Sequence, residues 1–156
     1  MRTTGFALLL ATLFFTTTAH AQAPYNRALG IKFPGGLSVT YKKFISDTHN
    51  LEAQFTAWHK GVRVAGLYEF NFYSFENVPE LSWFVGGGAH VGFWKSTYQK
   101  TYNSQADIGV DGIIGLDYKF KDLPINVSAD WQPAVALIGN VGFTPVFGGL
   151  AVRYTF

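Results

Sequence analysis

The chain has 156 residues, no cysteine, and a formal net charge of +2 from 12 Lys and Arg against 10 Asp and Glu. The basic residues are scattered along the chain, so nothing in the sequence indicates a nucleic-acid partner. The lack of cysteine excludes disulfide scaffolding, thiolate metal sites and a lipid anchor on an N-terminal cysteine.

The first segment of the chain has the features of a secretory signal peptide. Arg2 precedes an apolar run over residues 6–15, and small residues follow at the A-x-A spacing of a cleavage site. The run is shorter than the roughly 20 residues of a membrane-spanning helix. In preference to a buried N-terminal helix, we predict an export signal over residues 1–21, read by the Sec route, with cleavage after Ala23 as the alternative. Residues 22–156 then form one domain.

Along the mature chain, apolar and polar residues alternate in segments of about ten residues separated by turn sequences. Only a closed barrel of such strands could lie in a membrane, because lipid offers the backbone no hydrogen-bond partners. We therefore predict an all-β fold, an eight-stranded antiparallel up-and-down transmembrane β-barrel with both termini in the periplasm. In chain order, the predicted strands are residues 25–33, 37–45, 51–58, 62–72, 81–93, 107–120, 125–132 and 146–156.

The connections between these strands differ in length. Outer-membrane barrels usually have long outer loops and short periplasmic turns. Residues 95–106 and 133–145 are the two long outer loops of the prediction, and any surface ligand is expected to bind there. The other predicted connections are outer turns at 34–36 and 59–61 and periplasmic turns near 46–50, 74–80 and 121–124.

The apolar face carries aromatic residues near the strand ends and aliphatic residues between them. This distribution is typical of a surface that spans hydrocarbon and meets both membrane interfaces. A soluble, lipocalin-like barrel has no reason to show it, and a periplasmic ligand-binding barrel is kept as an alternative. The predicted aromatic girdle consists of Tyr68, Phe70, Phe72, Trp83, Phe93, Tyr118, Phe120 and Trp131.

The other face carries charges of both signs. The interior of an eight-stranded barrel is only wide enough to be filled by side chains, so these charges are expected to pair and to close the lumen. A narrow pore is the alternative. The predicted lumen network consists of Lys32, Lys42, Glu52, Arg63, Glu69, His90, Asp107, Asp111, Asp117, Lys119, Asp130 and Arg153.

His90 is the candidate for chemistry inside the barrel. If the long loop centres near Lys100, His90 stands opposite about Val110, with Asp111 within diagonal reach. This pair could orient a general base, but a nucleophile is missing, because Ser82 lies eight residues away at about 3.3 Å per residue. We predict no catalytic, cofactor or metal site, and an outer-membrane lipid hydrolase centred on His90 is the alternative.

Two stretches resemble a known group of proteins. "DIGVDGIIGLDYKFKDLPINVSADWQP" and the final "FGGLAVRYTF" are similar to the last hairpins of small outer-membrane β-barrel proteins of Gram-negative bacteria, of the Bacteroidetes type and related in architecture to the OmpA and OmpX barrels. The resemblance implies this fold and a location in the outer membrane, and it does not point to any enzyme activity. It also implies that the barrel-assembly machinery recognises Gly149, Val152, Tyr154 and Phe156. We further predict a monomer surrounded by outer-membrane lipid.

Overall fold

The computed structural model describes residues 23–97, 104–145 and 147–156. The predicted signal peptide, the centre of the predicted 95–106 loop and Val146 lie outside the described residues. Within the described ranges, no helix is both long enough and apolar enough to cross a membrane.

The period-2 alternation forms strands throughout the described residues, because successive side chains of a strand point to opposite faces. Turns rich in Gly, Pro, Asp and Asn separate them. The strands are β1 (Arg27–Pro34), β2 (Leu37–Phe44), β3 (His49–Trp58), β4 (Gly61–Phe72), β5 (Leu81–Trp94), β6 (Ala106–Lys119), β7 (Ile125–Trp131), β8 (Ala134–Ile138), β9 (Gly142–Thr144) and β10 (Gly149–Thr155).

These strands form one closed wall in which every pairing is antiparallel. β7 pairs with residues 114–119 of β6 and β8 pairs with residues 108–111 of the same strand, so β7 and β8 are two halves of one barrel strand. β9 pairs with β8 and β10 pairs with β7, so β9 and β10 are likewise two parts of one barrel strand. Because β10 also pairs with β1, the wall closes with eight barrel strands. The predicted eight-stranded antiparallel barrel is confirmed.

The predicted outer loop at 133–145 is wrong. Pro133 has no N–H to donate, so it interrupts the seventh barrel strand, but the strand resumes at Ala134. β8 and β9 then form a hairpin around residues 139–141. Gly139 has a φ of 89°, in the left-handed region that glycine adopts without steric cost, and this allows the tight turn.

The two ends of the barrel differ in what they contain. The terminal end carries residues 23–26, Phe156 and the turns at 45–48, 73–80 and 120–124. The loop end carries the turns at 35–36, 59–60 and 139–141 and the connection between β5 and β6.

The interior of the barrel is the core of the fold. Leu67, Phe84 and Ile113, from β4, β5 and β6, pack together there and are almost fully buried. Most of the other buried side chains are polar or charged. The large apolar side chains instead point outward, as Val39, Val64 and Val152 do. The wall is therefore polar inside and apolar outside.

Candidate functional site

The centre of the charged interior is Arg153, on β10. Its Nη2 lies 3.0 and 3.1 Å from the two carboxylate oxygens of Glu52 on β3, and its Nη1 lies 3.9 Å from Asp117 Oδ1. Its Nε donates to Thr40 Oγ1 at 2.8 Å, and Nη1 donates to Ser128 Oγ at 2.6 Å. A buried charge requires partners, and this one cation finds them on strands from opposite sides of the barrel.

Lys42 extends this cluster across β2, β3 and β4. Its Nζ lies 3.2 Å from Glu52 Oε2 and 2.8 Å from Glu69 Oε2, and 4.3 Å from the centre of the Phe84 ring. Asp117 closes the cluster toward the terminal end, where it accepts from the Tyr25 hydroxyl at 3.0 Å and from Asn126 at 2.9 Å. These residues are all buried.

A second group of charges continues toward the loop end. Lys32 Nζ donates to Asp130 Oδ1 at 2.6 Å and to Gln132 Oε1 at 3.2 Å. Gln132 donates in turn to Asp111 Oδ1 at 3.4 Å, which also accepts from the Arg63 guanidinium. The polar contacts therefore run from Lys32 up to the loop end.

His90 lies in this upper group, on β5. Its Nδ1 lies 2.9 Å from Asp111 Oδ2, and its Nε2 lies 3.7 Å from Asp107 Oδ2. The residue opposite His90 is Gly109, one position from the predicted partner, and the contact with Asp111 is made. Ser82 instead stands opposite Asp117, in the terminal half of the barrel. The structure thus supplies an oriented histidine but does not bring Ser82 to it.

A small pocket of about 120 Å³ opens beside His90 at the loop end. Its polar wall includes Arg63 and Asp107, and its aromatic wall includes Trp58 and Phe147, whose rings lie 6.3 Å apart. The Arg63 guanidinium lies 3.7 Å from the centre of the Phe147 ring. Among the described residues, no cluster of three or more His, Asp or Glu side chains is arranged to hold a metal ion.

Lys119 does not belong to the lumen network, contrary to the prediction. It ends β6 at the terminal end, where its Nζ donates to the backbone oxygens of Phe120 at 2.6 Å and Leu123 at 2.8 Å. Outside the wall, Lys121 lies 2.7 Å from Glu80. That hydrogen bond lowers the pKa of the Glu80 carboxyl and raises the pKa of Lys121, so both are charged at neutral pH.

The predicted aromatic girdle is distributed unevenly on the outward face. Phe72 and Trp83 stack with their ring centres 4.2 Å apart at the terminal end, and Tyr118 packs edge to face on Phe120 at 4.9 Å. Tyr68 and Phe70 lie at the same end, and Phe93 lies at the loop end. Trp131 was expected at a strand end, but because β8 continues its strand it lies midway along the wall, where its Nε1 donates to the Pro145 oxygen at 2.7 Å.

The predicted assembly signal lies on β10 and just after it. Val152, Tyr154 and Phe156 point outward and are about half exposed, and the rings of Tyr154 and Phe156 stack at 6.3 Å. Gly149 lies on the opposite face, where an added Cβ would collide with the backbone of Phe33. Three of the four residues are therefore accessible from outside the barrel.

Sequence reasoning missed part of the interior. The predicted lumen network contains only ionisable residues, so it omits the uncharged polar partners Thr40, Asn126 and Gln132 and the apolar residues Leu67 and Phe84. Each of these residues occupies the same alternating positions as the charged residues of its own strand. The alternation of inward and outward side chains therefore places them inside the barrel as well.

Comparison with known proteins gives one likeness at the level of fold. No family model matches the chain, and no curated protein matches it. Among solved structures, the chain is similar to the N-terminal β-barrel domain of OprF from Pseudomonas aeruginosa, with a TM-score of 0.58 and 17% sequence identity over 83% of this chain and 95% of that one. At that identity the likeness shows the fold, a closed eight-stranded barrel, and leaves the function to the site itself.

Proposed function

We propose that the chain is a monomeric protein of the bacterial outer membrane, with a lumen closed by its own side chains and a structural or surface-interaction role. The observation that supports this proposal most directly is the contrast between the outer and inner faces of the barrel wall. Outside, large apolar side chains cover the barrel and aromatic rings lie toward the terminal end. Inside, charged side chains meet one another. Lipid hydrocarbon around the barrel accounts for the apolar outer face, and the charged face then lines the polar interior.

The soluble alternative fits these faces poorly. Soluble monomers rarely expose contiguous apolar patches above a few hundred Å². A barrel in water would place Val64 and Val152 inside and Lys42 and Arg153 outside, the reverse of the arrangement in the structure. The apolar exterior therefore supports a lipid environment.

Export, assembly and oligomeric state follow from the same proposal. The signal peptide over residues 1–21 directs the chain through the Sec route, and the barrel-assembly machinery reads Val152, Tyr154 and Phe156 on the outward face together with Gly149. A monomer is supported by the pairing of β1 with β10, because a closed wall has no unpaired edge along these strands for another chain.

Any surface ligand would bind at the loop end. The β8–β9 hairpin lines the pocket beside His90, which offers aromatic rings and charged groups together. Such a pocket suits a small polar molecule that stacks on a ring.

The proposed closed lumen predicts that the protein carries no steady ion current in planar bilayers. The interior holds the charged clusters and the packed apolar side chains of Leu67 and Phe84, so the refolded protein should carry no steady ion current. Insertion is checked by heat-modifiable gel mobility of the same sample. A sustained single-channel current from inserted protein would contradict the closed lumen and favour the narrow pore.

The contact between His90 and Asp111 keeps one enzyme function open to test. A lipid hydrolase centred on His90 requires turnover of lipid A or phospholipid by the refolded chain and its loss in His90→Ala. Absence of turnover in the inserted wild type excludes that function. Turnover that depends on His90 would replace the structural role.

A further inference from the structure

A groove runs along the outward face of β2 to β5. Its floor is formed by Ala53, Gly66 and Gly87, and its walls are formed by Tyr41 and Tyr68. The strand register explains the shape, because Ala53 stands opposite both Tyr41 and Gly66, and Tyr68 stands opposite Gly87. The groove has a volume of about 480 Å³ and is lined almost entirely by apolar surface.

The floor of the groove is open to the outside, and the Tyr68 side of its wall is held in place. A Cβ added to Gly66 would meet no atom of the chain within 4 Å. The Tyr68 hydroxyl lies 2.6 Å from His49 Nδ1, and its ring packs against Phe70 at 5.2 Å. A wall that is already held in place lowers the cost of ordering side chains when a ligand binds.

A pair of cations lies at the terminal end of this groove. Lys43 belongs to the groove lining, and Arg27 stands directly opposite Lys43 on β1. Both side chains point outward. Like charges directly opposite each other on neighbouring strands are destabilising.

No Asp or Glu side chain within the described residues offsets these two charges. The Arg27 amide donates to the Phe156 oxygen at 2.9 Å, but within residues 23–97, 104–145 and 147–156 no ion pair joins either side chain to an acidic group. An anion from outside the chain would relieve the repulsion. The aromatic residues Phe72 and Trp83 lie at the same end of the wall, and in membrane proteins such rings lie at the level of the lipid headgroups.

We propose that this groove binds one anionic phospholipid of the surrounding leaflet, with its phosphate between Arg27 and Lys43 and one acyl chain along the floor at Gly66. The site rests on the proposed membrane location. The apolar lining suits an acyl chain, and the two cations suit a headgroup with net negative charge over a zwitterionic one. Each cation contributes about a fivefold preference for the anionic lipid.

The test uses the full mature chain refolded in phosphatidylcholine nanodiscs. Association of spin-labelled phosphatidylglycerol and spin-labelled phosphatidylcholine is measured by electron paramagnetic resonance. The wild type should bind the anionic lipid preferentially, and Lys43→Gln and Arg27→Gln should each lower that preference about fivefold. Gly66→Leu fills the groove without changing charge and should lower the immobilised fraction of the anionic lipid.

The matched control is Lys95→Gln, which removes the same charge at the loop end and should leave the preference unchanged. Equal association of both lipids with inserted wild type would overturn this site alone, and so would a loss in Lys95→Gln equal to that in Lys43→Gln. Wild type that fails to enter the discs would overturn the proposed function as well. If Gly66→Leu does not fold, Lys43→Gln and Arg27→Gln still decide the question.

Discussion

Replacing Arg153 with methionine is expected to lower the free energy of unfolding by about 3–5 kcal/mol, the range found when one partner of a buried ion pair is removed. The change leaves Glu52 and Asp117 inside the barrel without the cation that lies between them. It also removes the donors to Thr40 and Ser128. Urea unfolding in detergent micelles, followed by tryptophan fluorescence and by heat-modifiable gel mobility, measures the loss.

The double variant Arg153→Met with Glu52→Leu provides the matched control. It removes one charge of each sign, so the net charge of the cluster with Lys42, Glu69 and Asp117 stays as in the wild type. Part of the lost stability should return, since replacing both partners of a buried pair is often close to neutral. Losses that simply add in the double variant would contradict a direct pairing of Arg153 with Glu52.

Replacing Phe84 with alanine is expected to cost about 3–5 kcal/mol of unfolding free energy, because the ring fills the barrel interior and its removal leaves a cavity. Phe84 is fully buried and packs with Leu67 and Ile113. The same urea titration measures the effect. Phe143→Ala, on the exposed β8–β9 hairpin, is the control and should cost clearly less. Equal losses would mean that Phe84 does not lie in the packed interior.

The alternation of residue types was sufficient to predict the fold. Because side chains of a strand alternate between two faces, one polar or apolar position assigns a face to the whole strand. Lys42, Glu52 and Glu69 could therefore be placed on one face before any contact between them was known. The pairing of Glu52 with Arg153 depends on the stagger of strands around the closed wall, which the sequence of one strand does not contain.

The incorrect predictions concern residues at the end of a strand or beside an interruption within a strand. Pro133 is a common stop signal, but here it only interrupts a strand, because β6 is long enough to pair with both β7 and β8. That difference moved Trp131 from a strand end to the middle of the wall. Lys119 has the parity of the interior, yet at the last position of β6 its side chain reaches the turn carbonyls instead. The position of a residue in the alternation predicts which face it lies on. Where the interior ends is shown only by the length of the strands in the structure.

The contact between His90 and Asp111 shows how far the candidate site could be predicted from the sequence. The sequence placed Asp111 within diagonal reach of His90, but the register differs by one residue, with Gly109 opposite His90. In a hairpin the register depends on the turn type and loop length, which the residue pattern of the two strands does not give. The aromatic wall of the pocket could not be predicted either, because Trp58 and Phe147 come from distant parts of the chain.

The central claim, that the apolar outside of the barrel contacts lipid, is tested by single cysteines. The chain contains no cysteine, so each introduced thiol carries the only label. Val64→Cys and Val152→Cys place a fluorophore on the outward face, and Ser46→Cys places it in an exposed turn at the terminal end. In vesicles, we expect brominated acyl chains to quench the labels at 64 and 152 but not the label at 46, and iodide in water to do the reverse. Quenching of 64 and 152 by iodide, without quenching by brominated lipid, would contradict the account.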